Sequence, residues 1–79
     1  MPITVLFFGA TAAIAGERKI ERVTHDGERS GEVYAQLLAE HPQLAGHRLH
    51  LSVNQQFATG DELLKDGDEL AIFTAVSGG

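Results

Sequence analysis

Few groups in this chain of 79 residues could do covalent chemistry, and the strongest candidate is not a side chain. The sequence closes on Val76-Ser77-Gly78-Gly79. Two glycines make the thinnest peptide available, able to pass along a narrow channel and set a carboxylate at its far end. Chance would place Gly-Gly there in roughly 0.5% of chains, given an average glycine usage of about 7%. The α-carboxylate of Gly79, with an ordinary pKa of about 3.3–3.7, is an anion at neutral pH and resists nucleophiles until it carries a leaving group. The expected role is therefore to present the Gly79 carboxylate inside another protein's active site. Extended at about 3.3–3.6 Å per residue, the stretch from Ala75 to Gly79 reaches about 17 Å, enough to enter a buried site.

The remaining reactive residue types offer less. There is no cysteine, which excludes a disulfide framework, a thiolate zinc site, an iron–sulfur cluster and a cysteine nucleophile. His47 and His50 are close in sequence, with His25 and His41 elsewhere, but on a strand beginning near Arg48 the two imidazoles need not converge. Asp66, Asp68 and Glu69 fit a turn, because Lys65 and Leu70 do not supply the further ligands of a calcium loop. No metal site is expected.

Size and charge narrow the function further. A chain this short buries only about 60% of its unfolded surface and is stable by roughly 4–12 kcal/mol, which leaves little for a deep, strained cleft. The expected organisation is a single domain, 1–79, with a flexible tail from about 75 to 79 and no independent active site. Eleven Asp and Glu against six Lys and Arg give a net charge of -5 and no basic stripe, so nucleic acid is not an expected partner. Such an acidic surface suits steering toward basic enzymes that handle nucleotides. The opening MPITVLFFGATAAIAG has no basic leader and too short an apolar run to span a bilayer, so the expectation is a cytoplasmic protein without a membrane partner.

The elements that must position the tail follow from periodicity. Ile3, Val5 and Phe7 alternate with Thr4, Leu6 and Phe8, predicting a strand with both faces covered and closed by Gly9. Ala10–Ala15 suits a helical turn, and Arg18–Thr24 a weaker second strand that makes a hairpin with the first. After the His25-Asp26-Gly27 turn, Ser30 stands where an N-cap is expected for a helix reaching about His41 and stopped by Pro42. Val33 with Leu37 and Tyr34 with Leu38 form its apolar stripe at i, i+4 spacing. Leu49, Leu51 and Val53 alternate with His50, Ser52 and Asn54 as a half-buried strand, followed by a short strand at Gln55–Phe57. Asp66-Gly67-Asp68 turns the chain into a last strand, Glu69–Ala75. One helix crossing between strands predicts an α+β, mixed-sheet β-grasp (ubiquitin-like) fold, with the helix packed on one face.

The two faces differ. Ile3, Val5, Phe7, Leu70 and Ile72 are uniformly apolar and belong under the helix. Leu6, Phe8 and Phe73, with Phe57 nearby, are left as apolar side chains on the opposite face, a pattern that marks a protein interface.

VLFFG near the start, LSVNQ in the third strand, LKDGDELAIF and the terminal VSGG together resemble the MoaD-type small subunit of molybdopterin synthase, a ubiquitin-like sulfur carrier family, over essentially the whole chain. The resemblance implies that a ubiquitin-activating-like enzyme adenylates Gly79 using Mg-ATP, no cofactor being bound by this chain itself. A sulfur donor then converts the adenylate to a thiocarboxylate. It further implies docking on the large subunit, as a heterotetramer, with Val76, Ser77 and Gly78 threaded into that subunit's pocket and Phe8, Phe57 and Phe73 facing it. There the sulfur would pass to a cyclic pterin monophosphate, building the dithiolene of molybdopterin in molybdenum cofactor biosynthesis. Two departures from the family pattern are Thr11-Ala12-Ala13, without the usual basic residue of the first loop, and Thr74-Ala75 in place of prolines. Carriers for thiamine synthesis and tRNA thiolation share the fold and the glycines, and a ubiquitin-like protein modifier would use the same activated end.

Overall fold

The computed structural model describes residues 1–74, so Ala75 and the tail residues Val76, Ser77, Gly78 and Gly79 lie outside the described part. Five strands form one mixed sheet: β1 (Pro2–Phe7), β2 (Lys19–Val23), β3 (Leu49–Val53), β4 (Gln56–Phe57) and β5 (Glu69–Thr74). Their order across the sheet is β2-β1-β5-β3-β4. Helix α1 (Ala10–Ala15) joins β1 to β2, and α2 (Ser30–Glu40) crosses the sheet before a 3-10 turn at Pro42–Gly46. β1 and β5 run parallel, Val5 opposite Leu70 and Phe7 opposite Ile72, while every other pairing is antiparallel. The arrangement is the expected β-grasp. None of the described helices is long and apolar enough to cross a membrane.

Period-2 alternation decides the inner face. Ile3, Val5 and Phe7 from β1, Leu70 and Ile72 from β5 and Leu51 from β3 are buried against Val33 and Leu37 of α2. Leu44 of the 3-10 turn is fully buried in the same cluster, so the turn after Pro42 closes the core and does more than end the helix. The outer face is less covered than the sequence predicts: Thr4 and Leu6 of β1 are only half-buried and Phe8 is exposed, so β1 is not buried on both sides. Among the described residues no second helix layer lies over that face to cover it.

Ser30 is not the N-cap. It is the first residue of α2, fully buried, and its hydroxyl donates to the Glu62 carboxylate at 2.7 Å. The start of the helix is satisfied by the loop 59–62 instead. Ser30 N–H donates to the Glu62 carbonyl and Gly31 N–H to the Gly60 carbonyl, each at 2.9 Å. The Glu32 carboxylate closes the other side by accepting from Arg29 N–H at 2.9 Å. This contact needs glycine: a Cβ on Gly31 would lie 2.9 Å from the Gly60 carbonyl oxygen, a backbone atom that cannot swing away.

Glu62 is the hub of that contact. Its carboxylate accepts from Thr59 N–H at 2.8 Å, Gly60 N–H at 3.0 Å and the Ser30 hydroxyl. These bonds, with the Thr59 amide foremost, pull its pKa down from 4.5 to about 2. A carboxyl depressed in the folded state stabilises fully above its unfolded pKa and loses that contribution as the pH falls through the folded one. Denaturant midpoints measured between pH 7 and 2 should therefore drop between about pH 5 and 2 in the wild type. Glu62→Gln should be less stable at pH 7 and show a flatter acid limb; an unchanged midpoint at pH 7 would rule out this role for the carboxylate.

Candidate functional site

β5 ends at Thr74, opposite Leu49 of β3 and just past the Phe7–Ile72 pair. The predicted reactive segment begins with the next residue, so the site within reach of description is the surface around this strand end. Phe8 N–H donates to the Ile72 carbonyl at 3.0 Å, carrying the β1–β5 ladder one residue beyond β1. Thr11, fully buried in α1, directs its hydroxyl at the Phe8 carbonyl at 2.6 Å and lies 3.0 Å from the Ile72 carbonyl. One buried side chain thus ties α1 to both central strands where β5 finishes. The Thr11-Ala12-Ala13 segment that departs from the family pattern accordingly has a structural use here.

The outer face carries an aromatic cluster beside this end. His50 of β3 is directly opposite Phe73 of β5, and Phe57 of β4 is opposite Ser52. The His50 and Phe73 rings stack with centroids 5.7 Å apart, Phe57 and Phe73 are 5.9 Å apart, and Phe57 meets His50 edge-on at 6.1 Å. These rings cover Ser52 and Ala71, both buried although they point away from the helix. Phe57 is nonetheless 78% exposed and Phe8 51%. An exposed aromatic group of this kind holds apolar area that no other described residue covers.

The structure brings Phe57 and Phe73 together, while Leu6 lies opposite Ala71 on the neighbouring strand and Phe8 follows directly after β1. Leu6 and Phe8 line a separate shallow groove of about 450 Å³ with Ala12, Arg18 and Lys19. His50 belongs to the aromatic face and was missed as such, since the sequence reading considered it only as a partner for His47. Its alternation with Leu49 and Leu51, opposite Phe73 across the ladder, was the signal available.

The other imidazoles are engaged separately. His41 packs edge-on against Phe7 with centroids 6.2 Å apart, and His25 is 3.4 Å from Glu28. The Asp26 carbonyl, aided by Glu28, raises the pKa of His25. Among the described residues no three His, Cys, Asp or Glu side chains converge on a point that could hold a metal. Asp68 is occupied in its turn, accepting from Lys65 N–H at 2.8 Å and from the Asn54 amide at 3.0 Å.

Comparison with known proteins extends the likeness through the undescribed end, since the ThiS family matches residues 5–79. The chain belongs to the ThiS family. It is 35% identical over 83 residues to the molybdopterin synthase sulfur carrier subunit of Chlamydomonas reinhardtii, covering all of both chains. It is 36% identical over 80 residues to the subunit of the same name from Mycobacterium tuberculosis, covering 98% of this chain and 96% of that one. Among solved structures, SAMP1 from Haloferax volcanii is similar over the whole of both chains, with 27% identity and a TM-score of 0.83. A chain in the complex of subunits 1 and 2 of the molybdopterin-converting factor from Helicobacter pylori is also similar throughout, with 27% identity and a TM-score of 0.71.

The exposure of Phe57 gives a direct check on which face stabilises the ThiS-family domain. Phe57→Ser should change the unfolding free energy by no more than about 0.5 kcal/mol, whereas Leu70→Ala in the inner core should cost about 2–5 kcal/mol. Urea titrations of the two variants measure both. A loss above about 2 kcal/mol for Phe57→Ser would make the aromatic group part of the core.

Proposed function

We propose that this chain is the sulfur carrier subunit of molybdopterin synthase, and that the carboxylate of Gly79 carries the sulfur. The observation that carries the reading is the exposed aromatic face on β3, β4 and β5. Thr74, the last described residue of β5, lies beside that face, and residues 75–79 of the sequence follow it. About 17 Å of extended peptide is then available to a partner that binds the face. The two curated relatives, similar over their full lengths and both named sulfur carrier subunits, support the same conclusion.

The chemistry divides between this chain and its partners. In the first step a Gly79 carboxylate oxygen attacks the α-phosphorus of Mg-bound ATP, forming a carboxyl–phosphate bond and releasing pyrophosphate. In the second, sulfide sulfur from a donor attacks the activated carbonyl carbon, and AMP leaves with the bonding pair. The resulting thiocarboxylate is a soft nucleophile at the end of a thin peptide. Both steps and the final transfer to the cyclic pterin are assigned to partner sites. An enclosed pocket can contribute the equivalent of about 7–11 kcal/mol through positioning that a free tail lacks. The large subunit supplies that pocket, with Val76, Ser77 and Gly78 spanning its entrance, and the likeness to a chain in the two-subunit complex from Helicobacter pylori supports this pairing.

The test is at the tail. Deleting Gly79 or adding one residue after it should abolish ATP–pyrophosphate exchange by the cognate activating enzyme while leaving the circular dichroism spectrum unchanged. With the intact chain, mass spectrometry after incubation with the enzyme, ATP and a sulfide source should record the replacement of one oxygen by sulfur. Normal exchange by the extended chain, or isopeptide adducts on lysines in place of thiocarboxylate, would refute the carrier role.

Docking has its own check. Phe73→Asp places a carboxylate in the middle of the aromatic face and should weaken binding to the large subunit by about 2–4 kcal/mol, as for a buried anchor. Calorimetric titration measures it. Unchanged affinity would move the interface away from β3, β4 and β5.

A further inference from the structure

The charge of this chain is not spread evenly. Its net charge is -5, yet three of its six Lys and Arg residues sit at the end of the sheet where β5 finishes. Lys19 opens β2 opposite Leu6, near the end of β1, and the Arg18 carbonyl accepts from Phe7 N–H at 2.9 Å. Arg48 immediately precedes Leu49, which faces Thr74. With strands about 4.8 Å apart, Arg18 and Lys19 stand two strands from β5 on one side and Arg48 one strand away on the other. All three are exposed. The segments that carry them contain two acids, Glu17 and Glu21.

Two of the other cations are committed elsewhere, Arg22 to Glu40 and Arg29 to the Asp61 carbonyl, and Lys65 lies among acids in the turn before β5, where its backbone N–H donates to Asp68. Ion pairs among the described residues are Arg22 with Glu40 and His25 with Glu28, so the three cations near Thr74 have no carboxylate partner there. Meanwhile Asp61, Glu62, Asp66, Asp68 and Glu69 all lie on the segment leading into the far end of β5 or on its first residue. Grouping like charges costs self-repulsion, and a chain with surplus acids has not placed one beside each to relieve it.

We propose that Arg18, Lys19 and Arg48 form an electropositive rim around the exit of the tail, which docks against carboxylates flanking the mouth of the large-subunit pocket. The proposal rests on the sulfur-carrier reading and specifies the chemistry of the surface that receives the tail. The local sign at this end is opposite to the net charge of -5. From Glu69 to Thr74 the strand spans about 17 Å. That is about two Debye lengths at physiological salt, so the distant acids are screened from a partner approaching this end. The groove shared by Leu6, Phe8, Arg18 and Lys19 gives the apolar centre and charged margin typical of such contacts. A rim of this kind acts chiefly on the rate of association and on orientation, presenting the tail first.

Stopped-flow association of the full chain with its cognate large subunit tests this. The wild-type rate constant should fall steeply as salt rises from 0.05 to about 0.5 M. Arg18→Glu, Lys19→Glu and Arg48→Glu combined should lower it at least tenfold at the low salt, and Asp66→Lys at the far end should leave it within about twofold. The neutral set Arg18→Gln, Lys19→Gln and Arg48→Gln, which adds no acid to the fold, should fall between the two. Reversed and neutral variants that associate as fast as the wild type, or faster, would overturn the rim while leaving the carrier reading intact. Failure of the wild-type chain to bind the large subunit at any salt would overturn both.

Discussion

The parallel pairing of β1 with β5 is the constraint on which the rest of this structure depends. Parallel neighbours cannot be joined by a tight turn, so the connection through residues 8–68 must include an excursion outside the sheet besides supplying β2, β3 and β4. That excursion contains α2, whose Val33 and Leu37 cover the inner apolar face that the two central strands create. The same pairing places Thr74 of β5 at the same end of the sheet as Phe7 of β1, and brings α1, Arg18 and Lys19 close to it. Had the strands been antiparallel, Thr74 would lie beside the start of β1 instead.

Energetics separate the two faces of the sheet. Fully burying one aliphatic side chain is worth about 1.5–3 kcal/mol, and the inner face collects Ile3, Val5, Leu70, Ile72, Val33, Leu37 and Leu44 at essentially full burial. That face supports the domain without help from the aromatic cluster. Phe57, Phe8 and part of Phe73 therefore keep apolar area whose burial can be realised by association. The buried polar groups do not upset this division, because Thr11, Ser30 and Glu28 all have hydrogen-bond partners.

The sequence made the strands and the inner core legible because alternation is a local property. Ile3 to Phe7, Leu49 to Val53 and Glu69 to Thr74 all follow the predicted faces, and Gly67 turns the chain with φ near 83° as the Asp-Gly-Asp motif required. The misreadings involve distant partners. Ser30 looked like a cap because nothing local reveals that Glu62 waits 32 residues away. The short fourth strand starts at Gln56 because Asn54 and Gln55 both take positive φ, 51° and 69°, to make a two-residue hairpin that neither residue advertises as glycine would. Of the candidate site, the aromatic face was half legible: Phe57 and Phe73 meet, but the ring between them is a histidine that no apolar pattern includes. The cationic rim was hidden for the same reason, since Arg18 and Arg48 become neighbours of one strand end only after the sheet has formed.

An open sheet of this kind also has two borders at which backbone N–H and C=O groups face outward, ready to template another chain. Here one border is β4, only two residues long. The other is β2, where Lys19 and Glu21 are exposed and Arg22 turns inward to Glu40. Short length, charge and an inward-pointing cation are the features by which strands discourage intermolecular extension. A carrier that has to display aromatic rings and a bare strand end is thereby directed to recognise partners through side chains and its terminal peptide, while indiscriminate β-sheet growth into fibres is closed off along both margins.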